Sequence, residues 1–247
     1  MRRILAGLTA ALLVVSTASC SLNSEPDTET TKSNNADAPV PTECRNPLGR
    51  KQSLISAREL AFCEAEALGK LTGYVQTDTV NGTAVSISRV NIDPLMVEIV
   101  SEPNAESTGS RVILANGATY IEQSNGSWIQ ARPDSKDSSV AYQASMPKRF
   151  EALMNPNLRA AGTSPNLVYT LEHVTEIGQD TVFVLEAVID KGVESGRKMI
   201  SRIYVRPDYI VVRSETESIV SGRSTVRKAE LTEIGNPQKI LNPRFEN

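Results

Sequence analysis

The sequence predicts an α+β fold, an antiparallel β-sheet accompanied by a few helices. Three observations predict it. Residues 53–71 repeat their apolar side chains at three- and four-residue steps, the period of a helix. From Tyr74 onward, short runs of β-branched and aromatic residues alternate with tight-turn signals. Strands that follow one another through tight turns build an antiparallel meander, not a parallel βαβ sheet. Finally, a segment of helical spacing, 146–160, separates two such strand groups.

In the first helix, Leu54, Ala57, Ala61, Ala65 and Leu68 form the stripe, with Leu60 and Leu71 beside it. Ser53 is the expected N-cap, and Gly73 marks the end. Strands are expected at 74–80, 84–92, 95–101, 111–115, 119–123 and 127–131. Asn81-Gly82, Asn116-Gly117 and Asn125-Gly126 supply hairpin turns. Residues 133–141 are polar and read as a loop. In the helical insert, Phe150, Leu153, Met154 and Leu158 share a face, and Pro147 suits a first turn. Pro156 must break the helix near Asn155, which predicts two short helices. The second strand group covers 167–177, 181–189, 198–205, 209–218 and 224–234, with turns at 178–180, Pro207-Asp208 and Ser221-Gly222. The run 182–189 is apolar on both faces apart from Glu186, as a central strand would be. The tail, 235–247, is rich in Pro and Asn and reads as extended. One continuous sheet is favoured over two.

The chain begins Met1-Arg2-Arg3, continues through a mostly apolar run to Val15, and reaches small residues followed by Cys20. This order reads as a signal peptide, and a cysteine after the small residues gives it the form of a bacterial lipoprotein signal. Thr17 stands where that pattern has an aliphatic residue. The expected division is a signal peptide over 1–19, lipidated Cys20 with a tether over 20–43, and a folded domain over 44–247. The tether has too few apolar side chains to fold. A chain cut before Cys20 keeps 228 residues, with 24 basic and 29 acidic side chains, a formal charge of about −5. That balance gives no reason to expect nucleic acid as a partner. No later stretch approaches the ~18 apolar residues of a membrane-spanning helix. Acyl chains of the palmitate kind at Cys20 would therefore hold the protein to the extracytoplasmic face of the cell membrane. Stable anchoring of this sort takes two or more chains.

Cys44 and Cys63 then remain as an even pair in an oxidising compartment, where disulfides persist. A bridge between them is expected, worth about 3 kcal/mol in the chain-entropy picture. Two unpaired thiols are the alternative. No CxxC spacing or His/Cys cluster suggests a metal, and no cofactor is called for.

Catalytic machinery is not legible. His173 is the only histidine, with no GxSxG elbow and no free cysteine to partner it. It reads as a structural or surface residue. Glu172, Glu176, Glu186, Asp190, Glu194, Glu215, Glu217, Glu230 and Glu233 could in principle supply a hydrolase pair. Most fall at alternating strand positions or in turns, as solvent-facing carboxylates do. Arg197-Lys198 and Arg227-Lys228 read as solvated faces, or as contacts to an anionic headgroup. No enzyme is expected.

Three stretches carry a resemblance. They are Gly117-Ala118-Thr119-Tyr120-Ile121 followed by Asn125-Gly126-Ser127-Trp128, the insert 146–160 between the strand groups, and the closing run from Ile203-Tyr204-Val205 through 231–237. In order and spacing, the chain resembles the LppX/LprG-type lipoproteins of actinobacteria, whose fold is similar to that of the lipoprotein carrier LolA and the sensor RseB. The resemblance implies a single curved antiparallel sheet, a half-open barrel with helices on its concave side. It also implies an apolar cavity that binds lipid.

Candidate lining residues for such a cavity are Met96, Ile99, Val112, Leu114, Tyr120, Trp128, Phe150, Leu153, Met154 and Leu158. A closed core made of the same residues is the alternative. Aromatics are only 4% of the chain, so the walls would be mainly aliphatic, which suits alkyl chains, and flexible methionines suit a variable guest. The functional expectation is a membrane-anchored, non-catalytic monomer that binds or transports a lipid or lipoglycan-type amphiphile. Each buried methylene would contribute ~0.8 kcal/mol. The alternative is an interaction or sensor module whose partner is a membrane protein.

Overall fold

A computed structural model describes residues 40–50, 54–103, 109–190, 197–241 and 243. The expected signal peptide, Cys20 and nearly all of the tether lie outside the described residues. The turns explain the architecture. Asn81-Gly82, Asn116-Gly117 and Ser221-Gly222 each take positive φ at both positions, the backbone that two-residue hairpins require.

These turns and their neighbours generate β2 (Gly73–Val80), β3 (Thr83–Asn91), β4 (Met96–Ser101), β5 (Ser110–Ala115), β6 (Ala118–Glu122) and β7 (Trp128–Gln130) as one meander. After the helical insert come β8 (Val168–Ile177), β9 (Asp180–Asp190), β10 (Arg197–Val205), β11 (Val211–Val220) and β12 (Arg223–Thr232). A short β1 (Leu54–Ser56) pairs with β8. All pairings are antiparallel, and β12 pairs with β2, so the two groups form one twelve-stranded sheet. Its ends, β1 and β7, do not pair with each other, and the curved sheet stays open. The apolar run of β9 does lie between two neighbours, β8 and β10, with Val182, Val184, Leu185 and Ala187 all buried.

The first helix, α1 (Ala57–Leu68), is shorter than its apolar stripe suggests. Residues 54–56 pair with Tyr169 and its neighbours as β1, and the cap is Ser56, whose Oγ accepts from the Glu59 amide at 3.4 Å. Leu54, taken for a helix residue, stands exposed on that strand. The helix ends at Gly69, and Gly73 opens β2 instead. Residues 138–141, expected as part of a loop over 133–141, instead open α2 (Ser138–Gln143), because Asp137 caps it, its Oδ1 accepting from Ser139 N at 2.8 Å. The insert divides at Asn155 as expected, into α3 (Met146–Met154) and α4 (Pro156–Gly162). Asn155 Oδ1 caps the second helix, accepting from the amides of Asn157 and Leu158.

Cys44 and Cys63 are joined in a disulfide with their Cα atoms 4.9 Å apart. The bridge ties the start of the folded domain to α1. At the other end, residues 235–241 run without regular structure but are held, since Gln238 N donates to Asn91 Oδ1 at 2.7 Å and Asn91 Nδ2 donates to Gln238 O at 2.9 Å.

The core forms two apolar clusters. One joins α3, through Met146 and Phe150, to strands β2–β5, through Tyr74, Val90, Val97, Ile99, Val112 and Leu114, and extends to Leu68 of α1, Val182 of β9 and Val212 of β11. The other joins α1, through Leu60, to β1, β8, β9, β10 and β11, through Ile55, Tyr169, Leu185, Ile203 and Val205. Cross-strand register places Leu185, Ile203, Tyr74, Val90 and Val97 on one face, because residues directly opposite each other share a face. The other face carries cross-strand ion pairs, Arg202–Glu186, Arg213–Glu230–Lys228 and Arg89–Glu98–Arg111.

Candidate functional site

The helix-covered face of the sheet is the candidate site. Two rows of cross-strand partners define its floor. One runs Leu185–Ile203–Ser214–Ala229–Asp78–Ser86–Ser101, across β9, β10, β11, β12, β2, β3 and β4. The next runs Leu231–Gln76–Ser88–Ile99–Val112–Ile121–Ile129. Both rows are apolar toward β4–β6 or β9–β10 and polar at β2 and β3. A polar seam therefore crosses β2 and β3 within the otherwise apolar face.

Four seam side chains, Gln76, Asp78, Ser86 and Ser88, are buried. Gln76 Nε2 donates to Asp78 Oδ1 at 2.9 Å, and Ser86 Oγ donates to Oδ2 at 2.8 Å. Burial pushes the Asp78 carboxyl up to about 6, against the downward pull of these two hydrogen bonds. These four residues are not among the site candidates that the sequence suggests. The signal was present: Gln76 and Asp78 alternate in phase with Tyr74, and Ser86 and Ser88 in phase with Val90, so they had to share the core-facing side.

Above the sheet, α1 and α4 pack through small residues, among them Ala57, Ala65 and Ala160, all buried. The close approach carries an ion pair between Glu64 of α1 and Arg159 of α4, both side chains more than nine-tenths buried. Burial raises the Glu64 pKa and the Arg159 guanidinium opposes the rise. Arg58 adds a second tie, donating from Nε and Nη2 to the Thr163 carbonyl at 3.3 and 3.2 Å. Burial likewise raises the pKa values of Tyr74 and Tyr169, which both feel the charges of the Glu64–Arg159 pair.

Two cavities flank these elements. A small one, of about 20 Å³, lies among α1, α4, β8 and β10. A half-open groove of about 410 Å³ lies between the C-terminal half of α1 and the β10–β11 turn, lined by the Cys44–Cys63 bridge, Lys70, Asp208 and Tyr209.

The residues singled out as cavity candidates divide three ways. Ile99, Val112, Leu114 and Phe150 come together in the first apolar cluster, and Leu153 and Met154 pack against it. Met96, Tyr120 and Trp128 face the other way, since a strand turns successive side chains to opposite faces and their neighbours Val97, Ile121 and Ile129 lie on the helix-covered face. Leu158 projects from α4 and stays 48% exposed. His173 is exposed on β8. Among the described residues, no group of three or more His, Cys, Asp or Glu could hold a metal ion.

No family model and no curated protein matches the sequence. Solved structures do. A LolA superfamily protein from Nitrosomonas europaea aligns at 9% identity over 76% of this chain and 96% of its own, with a TM-score of 0.27. A DUF1329 family protein from Desulfovibrio piger aligns at 11% identity over 76% and 95%, with a TM-score of 0.25. A domain named for outer membrane lipoprotein sorting, from Vibrio parahaemolyticus, aligns at 7% identity over 72% and 90%, with a TM-score of 0.24. With TM-scores this low, the likenesses decide nothing about site or ligand.

Proposed function

We propose that this protein is a lipid-anchored, non-catalytic carrier or binding protein of the cell envelope that holds an acylated amphiphile between its helices and its sheet. The observation that carries this reading is the one-sided construction. An open sheet of twelve strands has its apolar face covered by α1 and by two short helices, α3 and α4, of nine and seven residues. Helices as short as α3 and α4 do not persist in water alone, so tertiary packing holds them. A guest that replaces their apolar contacts can displace them with little loss of secondary-structure energy. Ile99, Val112, Leu114, Phe150, Leu153 and Met154 would then line the space that an acyl chain fills, at ~0.8 kcal/mol per buried methylene. Cys20 supplies the anchor, and the polar tether lets the domain reach from the membrane.

The test uses the mature chain from residue 20 with Cys20→Ala. After incubation with vesicles containing a fluorescent acyl phospholipid and removal of the vesicles, the protein fraction should carry label. Label confined to the vesicles would refute the reading.

A second reading, a module that binds a membrane protein, draws on the half-open groove beside the Cys44–Cys63 bridge, which mixes apolar walls with Glu66, Lys70 and Asp208. Stoichiometric recovery of one membrane protein with unlabelled chain would favour it.

A further inference from the structure

We infer that the small cavity between α1, α4, β8 and β10 is the seat for a neutral hydrogen-bond acceptor of the ligand, an ester or amide carbonyl at the head of an acyl chain; the inference rests on the carrier reading above. The cavity measures about 20 Å³ and is lined by Leu60, Glu64, Arg159, Thr163, Tyr169 and Ile203 among others. That space accepts one oxygen-sized group and no more.

Two buried donors on its lining lack acceptors. Arg159 Nη1 and the Tyr169 hydroxyl make no hydrogen bond. Ser201 stands close enough to moderate the Tyr169 pKa, yet not at hydrogen-bonding geometry. The remaining groups are already engaged. Arg159 Nη2 pairs with Glu64 Oε2, and Thr163 Oγ1 donates to the Arg159 carbonyl at 2.9 Å. A buried donor left unpaired is costly, so two of them at one water-sized space call for an acceptor there.

The charge balance narrows the class. Glu64 already neutralises Arg159, so a carboxylate or phosphate would meet a carboxylate beside its cation. A neutral carbonyl oxygen meets no such repulsion and satisfies both donors. The rest of the wall is apolar, and Leu60 and Ile203 belong to the second apolar cluster. A chain whose carbonyl sits in the cavity would thus begin in aliphatic surroundings and continue toward the first cluster, which reaches the same strands, β9 and β11, through Val182 and Val212. An ether-linked chain of the same length would bury the same methylenes and leave both donors unpaired.

The experiment compares palmitoyl lysophosphatidylcholine with its hexadecyl ether counterpart, both below their critical micelle concentrations, on the mature chain with Cys20→Ala. The ester should bind about tenfold more tightly, the worth of a buried hydrogen bond that the ether cannot make. Tyr169→Phe, which removes one of the two donors and keeps the ring, should reduce the preference to about threefold, the remainder being held by Arg159 Nη1. Equal binding of ester and ether to the unsubstituted domain would overturn the carbonyl seat and leave the carrier reading standing, with a buried water as the occupant. Failure of both probes to bind would overturn the carrier reading itself. Infrared spectra of carbonyl-labelled ester provide a check that needs no variant: the bound stretch should lie at the frequency of a doubly hydrogen-bonded carbonyl, and an apolar-solvent frequency would count against the assignment.

Discussion

Glu64 on α1 and Arg159 on α4 form an ion pair with both side chains more than nine-tenths buried, ninety-five residues apart in sequence and at the junction of helix layer and sheet. Two desolvated charges roughly cancel each other's cost when paired, but either one alone is an uncompensated buried charge. Glu64→Leu and Arg159→Met should therefore each destabilise the fold by about 3–5 kcal/mol. The double variant should recover most of that loss. Urea unfolding of the four proteins gives the cycle; a double variant as unstable as the sum of the singles would show that the pair is not coupled.

Asp78 predicts a pH effect with a definite sign. Its folded pKa of about 6 lies above its ordinary 3.8. Protonation therefore favours the fold. The contribution is fully present below about pH 4 and is lost as pH rises through 6. Asp78→Asn keeps the shape and the bonding to Gln76 and Ser86 without a charge. The variant should match the parent near pH 4 and exceed its stability near pH 8 by up to about 3 kcal/mol. Unfolding midpoints at the two pH values decide it, and a gap that does not change with pH would contradict this account.

The Cys44–Cys63 bridge closes a loop with a sequence separation of 19. Reduction, or replacement of both cysteines by serine, should cost about 3 kcal/mol. The folded chain should also show unprotected amides at the start of α1 by hydrogen exchange. An unfolding midpoint unmoved by reductant would mean that the bridge constrains nothing.

Phe150 and Leu158 lie on consecutive helices, one fully buried and the other 48% exposed. Phe150→Ala should cost about 3–5 kcal/mol through the cavity that it leaves. Leu158→Ser should stay within about 0.5 kcal/mol. Thermal or urea unfolding of the pair checks which face of the insert is inside.

Most strands were legible because turn chemistry is local: an Asn-Gly pair states its own hairpin, and strand boundaries follow within a residue or two. Pro156 announced the break between α3 and α4 for the same reason. The misreadings arose where partners distant in sequence decide. Residues 54–56 carry a helical stripe, yet pairing with Tyr169 makes them a strand. Faces of the sheet could be assigned only once register was known, which is why Met96, Tyr120 and Trp128 were grouped with Ile99 and Val112 and stand on the opposite side. The Glu64–Arg159 pair had no sequence signal, since nothing in the spacing tells that α4 returns to α1. The polar seam did have one, in the phase of Gln76 and Asp78 with Tyr74.

The carrier reading is tested most directly by native mass spectrometry of the mature Cys20→Ala chain, secreted from a host that makes acylated envelope lipids and purified without detergent. A mass above that of the polypeptide, extractable into organic solvent as an acylated lipid, is the predicted result. A single mass equal to that of the polypeptide alone would contradict the account.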